Sequence, residues 1–350
     1  MREMAELLER AQRRVGTSLR GKYLLVRVLG VGGMAAVYEA THRNGARVAV
    51  KVLHREVAAI PEAKRRFLRE GYIANQILHP SVVRITDDDE DADGTVFVVM
   101  ELLDGRTLES ELTAGGGRMS APRVIAITDA LLDVLEAAHA AGVVHRDINP
   151  DNIFLTLGGL KVLDFGSARL VESTSATQSG QMMGTAEFVA PEQAGGRVRE
   201  IDGRTDLFSV GAMMFTLLSG QFVQQARTSM EYMIFAATKP ARSIFDVMPG
   251  VDAGLANVID VALAFDKERR WASAKHMQTA LRAAAMGMEA TVSATPAQEN
   301  VQAPYAELDR RQAASAQDRA PEIARTGTMR LGSQSIDSES EEAIPLKRKE

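Results

Sequence analysis

The sequence predicts an α+β chain of two lobes, a small β-rich lobe followed by a larger helical one, with a ligand cleft between them. Three observations predict it. Strand-type patterns crowd into residues 23–101, helix-type patterns dominate from 107 onward, and side chains with phosphate and metal chemistry occur in both halves. Such an inter-lobe cleft is a preferred place for a ligand.

Met1 to Arg14 has an amphipathic helical pattern, with Met4, Leu7, Leu8 and Ala11 on one stripe. This helix is expected to cap the next domain; a partner-binding helix is the alternative. Strands follow at Tyr23–Leu29, Val37–Ala40 and Val48–Leu53, with Asn44-Gly45 as the turn between the last two. Pro61–Leu78 is helical. A polar loop, Asp87–Gly94, leads into a strand at Thr95–Glu101. After Gly105, Ser120 is an N-cap with Pro122 in the first turn, and Gly142 marks a C-terminal stop. Further helices are expected at Asp206–Leu218, Gly254–Ala264 and Ser273–Ala285. From about Ala290 the chain turns to Ala, Gln, Ser, Thr, Pro and charge. Such a composition buries too little apolar area to offset its ordering entropy, so a disordered tail is expected. The boundaries are a helical extension over 1–22, a two-lobed domain over 23–285 and a tail over 286–350. Within the domain, the small lobe covers 23–100, the hinge 101–106 and the large lobe 107–285.

Bulk composition excludes several function classes. A net charge of -5 gives no general attraction to nucleic acid or anionic membrane. The chain has no cysteine, which excludes disulfides, thiolate metal sites and cysteine nucleophiles. No apolar run reaches the ~18 residues that span a bilayer; Leu207–Leu218 reads instead as a buried helix. The charged start has no signal-peptide core, so a cytoplasmic protein is expected.

The chemistry is carried by His145-Arg146-Asp147, by Asn152, and by Asp164-Phe165-Gly166. Phosphoryl transfer from Mg-ATP needs such a set: one Asp to accept a hydroxyl proton, and an Asn and a second Asp to hold metal ions at the phosphates. On this run the chain resembles the bacterial eukaryotic-like (Hanks-type) serine/threonine protein kinases, whose bilobal fold and ATP-dependent transfer to Ser or Thr are then expected.

The resemblance assigns roles along the chain. Leu29, Gly30, Gly32, Gly33 and Val37 match the glycine-rich loop over the phosphates, with Ala35 at its third glycine position. Val48-Ala49-Val50-Lys51 matches the family's lysine strand. Alternation puts Ala49, leaving room for adenine, and Lys51, reaching for phosphate, on one face. Glu70 lies on the inward stripe of its helix with Phe67, Ala74 and Ile77 and is expected to pair with Lys51; a solvated glutamate is the alternative. Gly71 beside it costs roughly 1 kcal/mol of helix propensity and is expected to make the helix easier to displace. Met100 matches the gatekeeper, and Glu101 to Leu103 the adenine-binding hinge. Asp147 is the base, and Asn152 and Asp164 the ligands of Mg2+ or Mn2+. His145 is a packing residue. Lys51, Asp147, Asn152 and Asp164 are expected to line one cavity.

Arg146 would need an anion, which many family members supply from a phosphorylated activation segment; Thr177 and Ser179 are the candidates here. Gly184 to Glu192 matches the acceptor-pocket segment, with Thr185 near Asp147 and Phe188 in place of the usual Tyr. Glu192 is expected to pair with Arg270, and Asp206 to accept backbone hydrogen bonds from the catalytic loop; a helix cap is the alternative for Asp206.

One departure stands out. The family's lysine two residues after the base is Asn149. Losing a charge-neutralising contact costs about 3 kcal/mol, on the order of a hundredfold in rate. A slow protein kinase is therefore expected, with a nucleotide-binding pseudokinase scaffold as the alternative. Protein substrates, the chain itself among them, are the implied partners. Thr326-Gly327-Thr328 in the tail is a candidate dock for a phosphothreonine-binding domain, against an ordinary Ser/Thr-rich stretch. Lys347 to Lys349 is too short for a nucleic-acid patch.

Overall fold

A computed structural model describes residues 2–165 and 186–292, all within one compact unit, Met1–Asp309. The small lobe opens with α1 (Arg2–Arg13) and then forms β1 (Ser18–Leu19), β2 (Tyr23–Val31), β3 (Ala35–His42) and β4 (Arg47–Leu53). The short α2 (Arg55–Ala58) and the long α3 (Pro61–Gln76) precede β5 (Ile85–Glu90) and β6 (Val96–Glu101). These six strands make one antiparallel sheet in the order β1-β2-β3-β4-β6-β5. The β3–β4 turn uses Asn44-Gly45 as expected: Gly45 has φ 91° and the Asn44 side chain accepts from the Ala46 N–H at 2.9 Å.

Strand alternation gives this sheet two apolar faces. On one, Tyr38, Val50, Val52, Phe97 and Val99 pack with Ala11 of α1 and Leu19 of β1. On the other, Ala35, Leu53, Val96 and Val98 pack with Phe67 of α3. The extension over 1–22 is thus part of the lobe's core. Of its predicted stripe Ala11 is buried and Leu7 half-buried, whereas Met4 and Leu8 are exposed. In the C-terminal half of α1, Ala11 packs into the core and Arg10 bonds Glu56 at 2.6 Å.

The expected polar loop at Asp87–Gly94 is in its first half a strand, β5. Its acids do not forbid pairing with β6, because alternate positions find partners on opposite sides. Tyr23 donates to Asp87 at 2.6 Å and Arg20 to Asp89 at 3.0 Å. On the other side Tyr72 donates to Asp88 at 3.1 Å, and Lys64 pairs with Glu90.

The large lobe begins with β7 (Gly105–Thr107) and α4 (Leu108–Ala114), then α5 (Ala121–Ala140). Strands β8 (Ile153–Thr156) and β9 (Gly159–Val162) join β7 in a three-stranded sheet. Helices α6 (Pro191–Ala194), α7 (Gly203–Ser219), α8 (Ser229–Thr238), α9 (Ile244–Val247), α10 (Ala253–Ala262) and α11 (Ala274–Val292) complete it. The short strands and α4, α6, α8 and α9 carry too little periodicity to be read from sequence. Helix α11 runs past the predicted boundary at 285. α7 is the central post, with every residue from Thr205 to Ser219 buried. It ends at Gly220, whose left-handed φ of 69° suits a residue without Cβ. No helix of the described residues is long and apolar enough to cross a membrane.

Helix α3 couples the lobes. Phe67 belongs to the small-lobe core, whereas Ala74 and Ile77 belong to the large-lobe core with Val82. Gly71 lets α3 lie close to β5: a Cβ there would fall 3.1 Å from Ile85 Cγ1. Its place in the sequence is explained by close approach to the sheet.

Candidate active site

Strand β4 sets the end where a nucleotide is expected. Ala49 lies opposite Met100 and Lys51 opposite Val98, while Val50 and Val52 face the α1 side of the sheet. Leu29, Gly30, Val37, Ala49, Lys51, Met100, Glu101 and Leu103 line a cavity of about 470 Å³, together with Asp164 and Phe165. Gly71, Ala74 and Ile85 line it too. The volume lies within the ordinary range for a small-molecule site. Gly32 and Gly33 are outside this lining, at the exposed loop tip. That tip is held by a residue the sequence did not single out. His54 reaches the Gly32 carbonyl through Nε2 at 2.8 Å, and its backbone N–H donates to the Met34 carbonyl at 2.8 Å. Ala35, at the third glycine position, is buried against Phe67 and Leu53.

Lys51 Nζ bonds Asp164 Oδ1 at 2.5 Å. The Glu70 side chain lies outside the described residues, so the expected Lys51–Glu70 pair does too. Asp164 is crowded by protein, which disfavours its charge, and the Lys51 ammonium favours it. The ammonium prevails and holds the Asp164 carboxyl below its ordinary range. Its side chain is 41% exposed to the cleft, so water lessens the cost of crowding. Asp164 and Arg146 both take left-handed backbone, with φ 53° and 68°. Such strain in residues with Cβ persists where the surroundings over-determine it.

Those surroundings are visible. Asp206, fully buried in the first turn of α7, accepts the backbone N–H groups of His145 at 2.9 Å and Arg146 at 2.8 Å. His139, which sequence reasoning missed, approaches the same carboxylate through Nε2 at 2.8 Å. The helix cap itself is Asp202, whose carboxylate accepts from the Arg204 N–H. Gln193 donates to the Arg146 carbonyl at 2.8 Å. His145 packs, as expected: it is buried, stacks edge-on against Phe165 at 4.7 Å, and bonds the Leu163 carbonyl at 2.9 Å. Glu192 and Arg270 form the expected pair, two parallel bonds of 2.8 Å each. Phe188 is buried with its ring edge-on to Phe222.

At the transfer end, Asn152 Nδ2 donates to the Asp147 carbonyl at 2.8 Å and to its carboxylate at 3.1 Å. Asp147 and Asn152 are not among the residues that line this cavity. The two ends are joined through the backbone instead: the Leu163 N–H donates to the Asn152 carbonyl at 2.9 Å, placing Asp164 beside the catalytic loop. The donor set suits a hard cation that arrives with a nucleotide. Asp164 offers a carboxylate, and Asn152, with its amide N–H engaged, offers a carbonyl oxygen. No cluster of three or more His, Cys, Asp or Glu that could hold a metal occurs among the described residues. Mg2+ commonly completes its shell from phosphates and water.

A second cavity, of about 680 Å³, lies between α3 and the start of the catalytic loop. Arg65, Arg66, Arg69 and Arg146 line it with Glu62. Among the described residues none of these four guanidinium groups pairs with a carboxylate. Of these four, only Arg146 was singled out from the sequence. Thr177, Ser179, Thr185, Thr326, Thr328 and Lys347 to Lys349 lie outside the described residues.

The chain matches the model of the protein kinase domain over residues 23–281. It is 39% identical over 271 residues to the serine/threonine-protein kinase Pkn1 of Myxococcus xanthus, covering 75% of this chain and 38% of that protein. It is 40% identical over 214 residues to the serine/threonine-protein kinase PknA of Mycobacterium tuberculosis, covering 59% of this chain and 49% of that one. The chain thus spans less than half the length of each of these curated relatives. Among solved structures, the Mycobacterium tuberculosis PknI kinase domain superposes with a TM-score of 0.60 at 27% identity, covering 77% of this chain and 98% of that one.

Proposed function

The chain belongs to the protein kinase domain family, and from that premise we propose that it transfers the γ-phosphoryl group of ATP to Ser or Thr of proteins, itself included. The observation that carries the proposal is the unbroken run of contacts from Lys51 through Asp164 and the Leu163–Asn152 bond to Asp147. It joins a phosphate-binding cation, two metal-ligating oxygens and a general base, as phosphoryl transfer requires.

In this reading Ala49, Met100 and the 101–103 hinge hold adenine, Lys51, paired with Glu70, holds the phosphates, and Asp147 accepts the proton of the acceptor hydroxyl. Asn152 and Asp164 hold Mg2+ or Mn2+, which neutralises phosphate charge when bound. Thr185 shapes the acceptor pocket. The four arginines at the α3 cleft make an anion site of the kind a phosphorylated Thr177 or Ser179 would fill. The enzyme works in signal transduction in the cytoplasm, over a domain of about 23–285. Its tail offers Thr326 or Thr328 to a phosphothreonine-binding domain.

The test uses the full chain with γ-labelled Mg-ATP. Label appears on the chain or on an added protein and is lost in Asp147→Asn, while nucleotide binding remains. General-base removal costs about 10²–10⁴-fold. Absence of label at every metal and protein concentration, with nucleotide still bound, would establish the scaffold alternative.

A further inference from the structure

Asn149 departs from its family, and its side chain turns back into the loop. It is 1% exposed. Its Oδ1 accepts the backbone N–H groups of Asp151 at 3.0 Å and Asn152 at 3.2 Å, capping the short 3-10 turn Pro150–Asn152. Its Nδ2 donates to the Asp147 carbonyl at 3.1 Å and to carboxylate Oδ1 at 3.0 Å. Asn152 bonds the other carboxylate oxygen, Oδ2, at 3.1 Å. Each oxygen of the candidate base therefore carries one amide donor, and Asn149 holds the second amide's own backbone.

A lysine cannot reproduce this. An ammonium has three donors and no acceptor, so it can hold Asp147 but cannot cap the turn that carries Asn152. We propose that Asn149 is the positioning residue of the catalytic loop. Its acceptor arm fixes Asn152, its donor arm fixes Asp147, and the loop is built around an amide at this position. The proposal rests on the phosphotransferase reading for its rate consequence, and on geometry alone for the link to Asn152. It reverses an expectation from the family pattern: restoring the missing lysine slows this chain.

The experiment compares the full-length wild type with Asn149→Ala, Asn149→Asp and Asn149→Lys. Two quantities are measured: the autophosphorylation rate at saturating Mg-ATP, and the affinity for ADP with Mg2+ and with chelator. Asn149→Ala loses both arms, so its rate falls by on the order of a hundredfold and the Mg2+-dependent gain in ADP affinity shrinks by about tenfold. Asn149→Asp keeps the acceptor arm, so the Mg2+-dependent gain returns at least to the wild-type level. Its rate stays about tenfold down or lower, because the donor to Asp147 is gone and a like charge faces it. Asn149→Lys loses the acceptor arm and falls in both measures.

A lysine variant faster than wild type overturns the proposal, as does an alanine variant unchanged in both. If the wild type transfers no phosphoryl group, the kinase reading fails by itself and the binding measurement still decides. Loss of the Mg2+ effect in Asn149→Ala with its return in Asn149→Asp sustains the link to Asn152. Equal affinities in all four proteins overturn it.

Discussion

Replacing Arg270 by Met is expected to unfold this chain far more readily than any surface change. The Arg270 side chain is 0% exposed and that of Glu192 2%. Two 2.8 Å bonds join them, Thr205 Oγ1 donates to Glu192 at 2.7 Å, and the guanidinium also donates to the Ala264 carbonyl at 2.8 Å and the Arg204 carbonyl at 3.1 Å. A methionine roughly fills the stem but leaves a carboxylate buried without its cation, and orphans those carbonyls. Removing one partner of such a pair costs about 3–5 kcal/mol, a large part of the roughly 5–15 kcal/mol typical of whole domains. The urea midpoint falls by about 1 M or more. The pH dependence carries a second signature. Burial pushes the Glu192 carboxyl up, but Arg270 and Thr205 outweigh it and hold it below its ordinary 4.5. In the wild type, this contribution to stability is complete above pH 4.5 and is lost as pH falls through the depressed folded value. Without Arg270, burial prevails and the folded value lies above 4.5, so the variant's deficit narrows as pH falls from 7 toward 4.5. Adding Glu192→Gln to Arg270→Met recovers part of the loss. A single-variant cost below about 1 kcal/mol, or a deficit that widens on acidification, refutes the argument.

Asp206→Ala removes the acceptor of two backbone N–H groups, so a loss of about 2–4 kcal/mol in denaturant and a drop in kcat are expected, with Asp206→Asn intermediate. His54→Ala frees the glycine-loop tip and raises KM for Mg-ATP by about tenfold in initial-rate assays; His54→Gln, which keeps a donor, recovers much of it. Gly211→Ala would place a Cβ 2.8 Å from Ala262 Cβ, where α7 meets α10. Overpacking of about 1–3 kcal/mol exceeds the helix gain of about 1 kcal/mol, so the thermal midpoint falls.

Much of the site was legible because its residues are short motifs with fixed gaps. The two residues joined by the Lys51–Asp164 bond are 113 positions apart, yet each was identifiable from its own neighbours. The partners of the backbone were harder. His139, Gln193 and His54 act through hydrogen bonds to main-chain atoms or to a buried carboxylate, and nothing in their neighbours marks that. Asn149 read as the absence of a cation, since the direction of its amide depends on the 3-10 turn that follows. The acidic run at 87–93 read as a loop because its paired cations, Arg20 and Lys64, come from distant segments. The apolar stripe of α1 promised more burial than the sheet gives.

Taken alone, the amino-acid order determined the family this chain belongs to, because its motif residues occur in short runs at fixed spacings. It also determined the two-lobe plan, since strand and helix periods differ within a few residues. Only the tertiary structure decided how those groups are held: Asp206 beneath the catalytic loop, Asn149 folded back on Asp147, and α3 seated against β5 at Gly71. These depend on which surfaces meet after long stretches of chain are brought together, and no local period encodes that meeting.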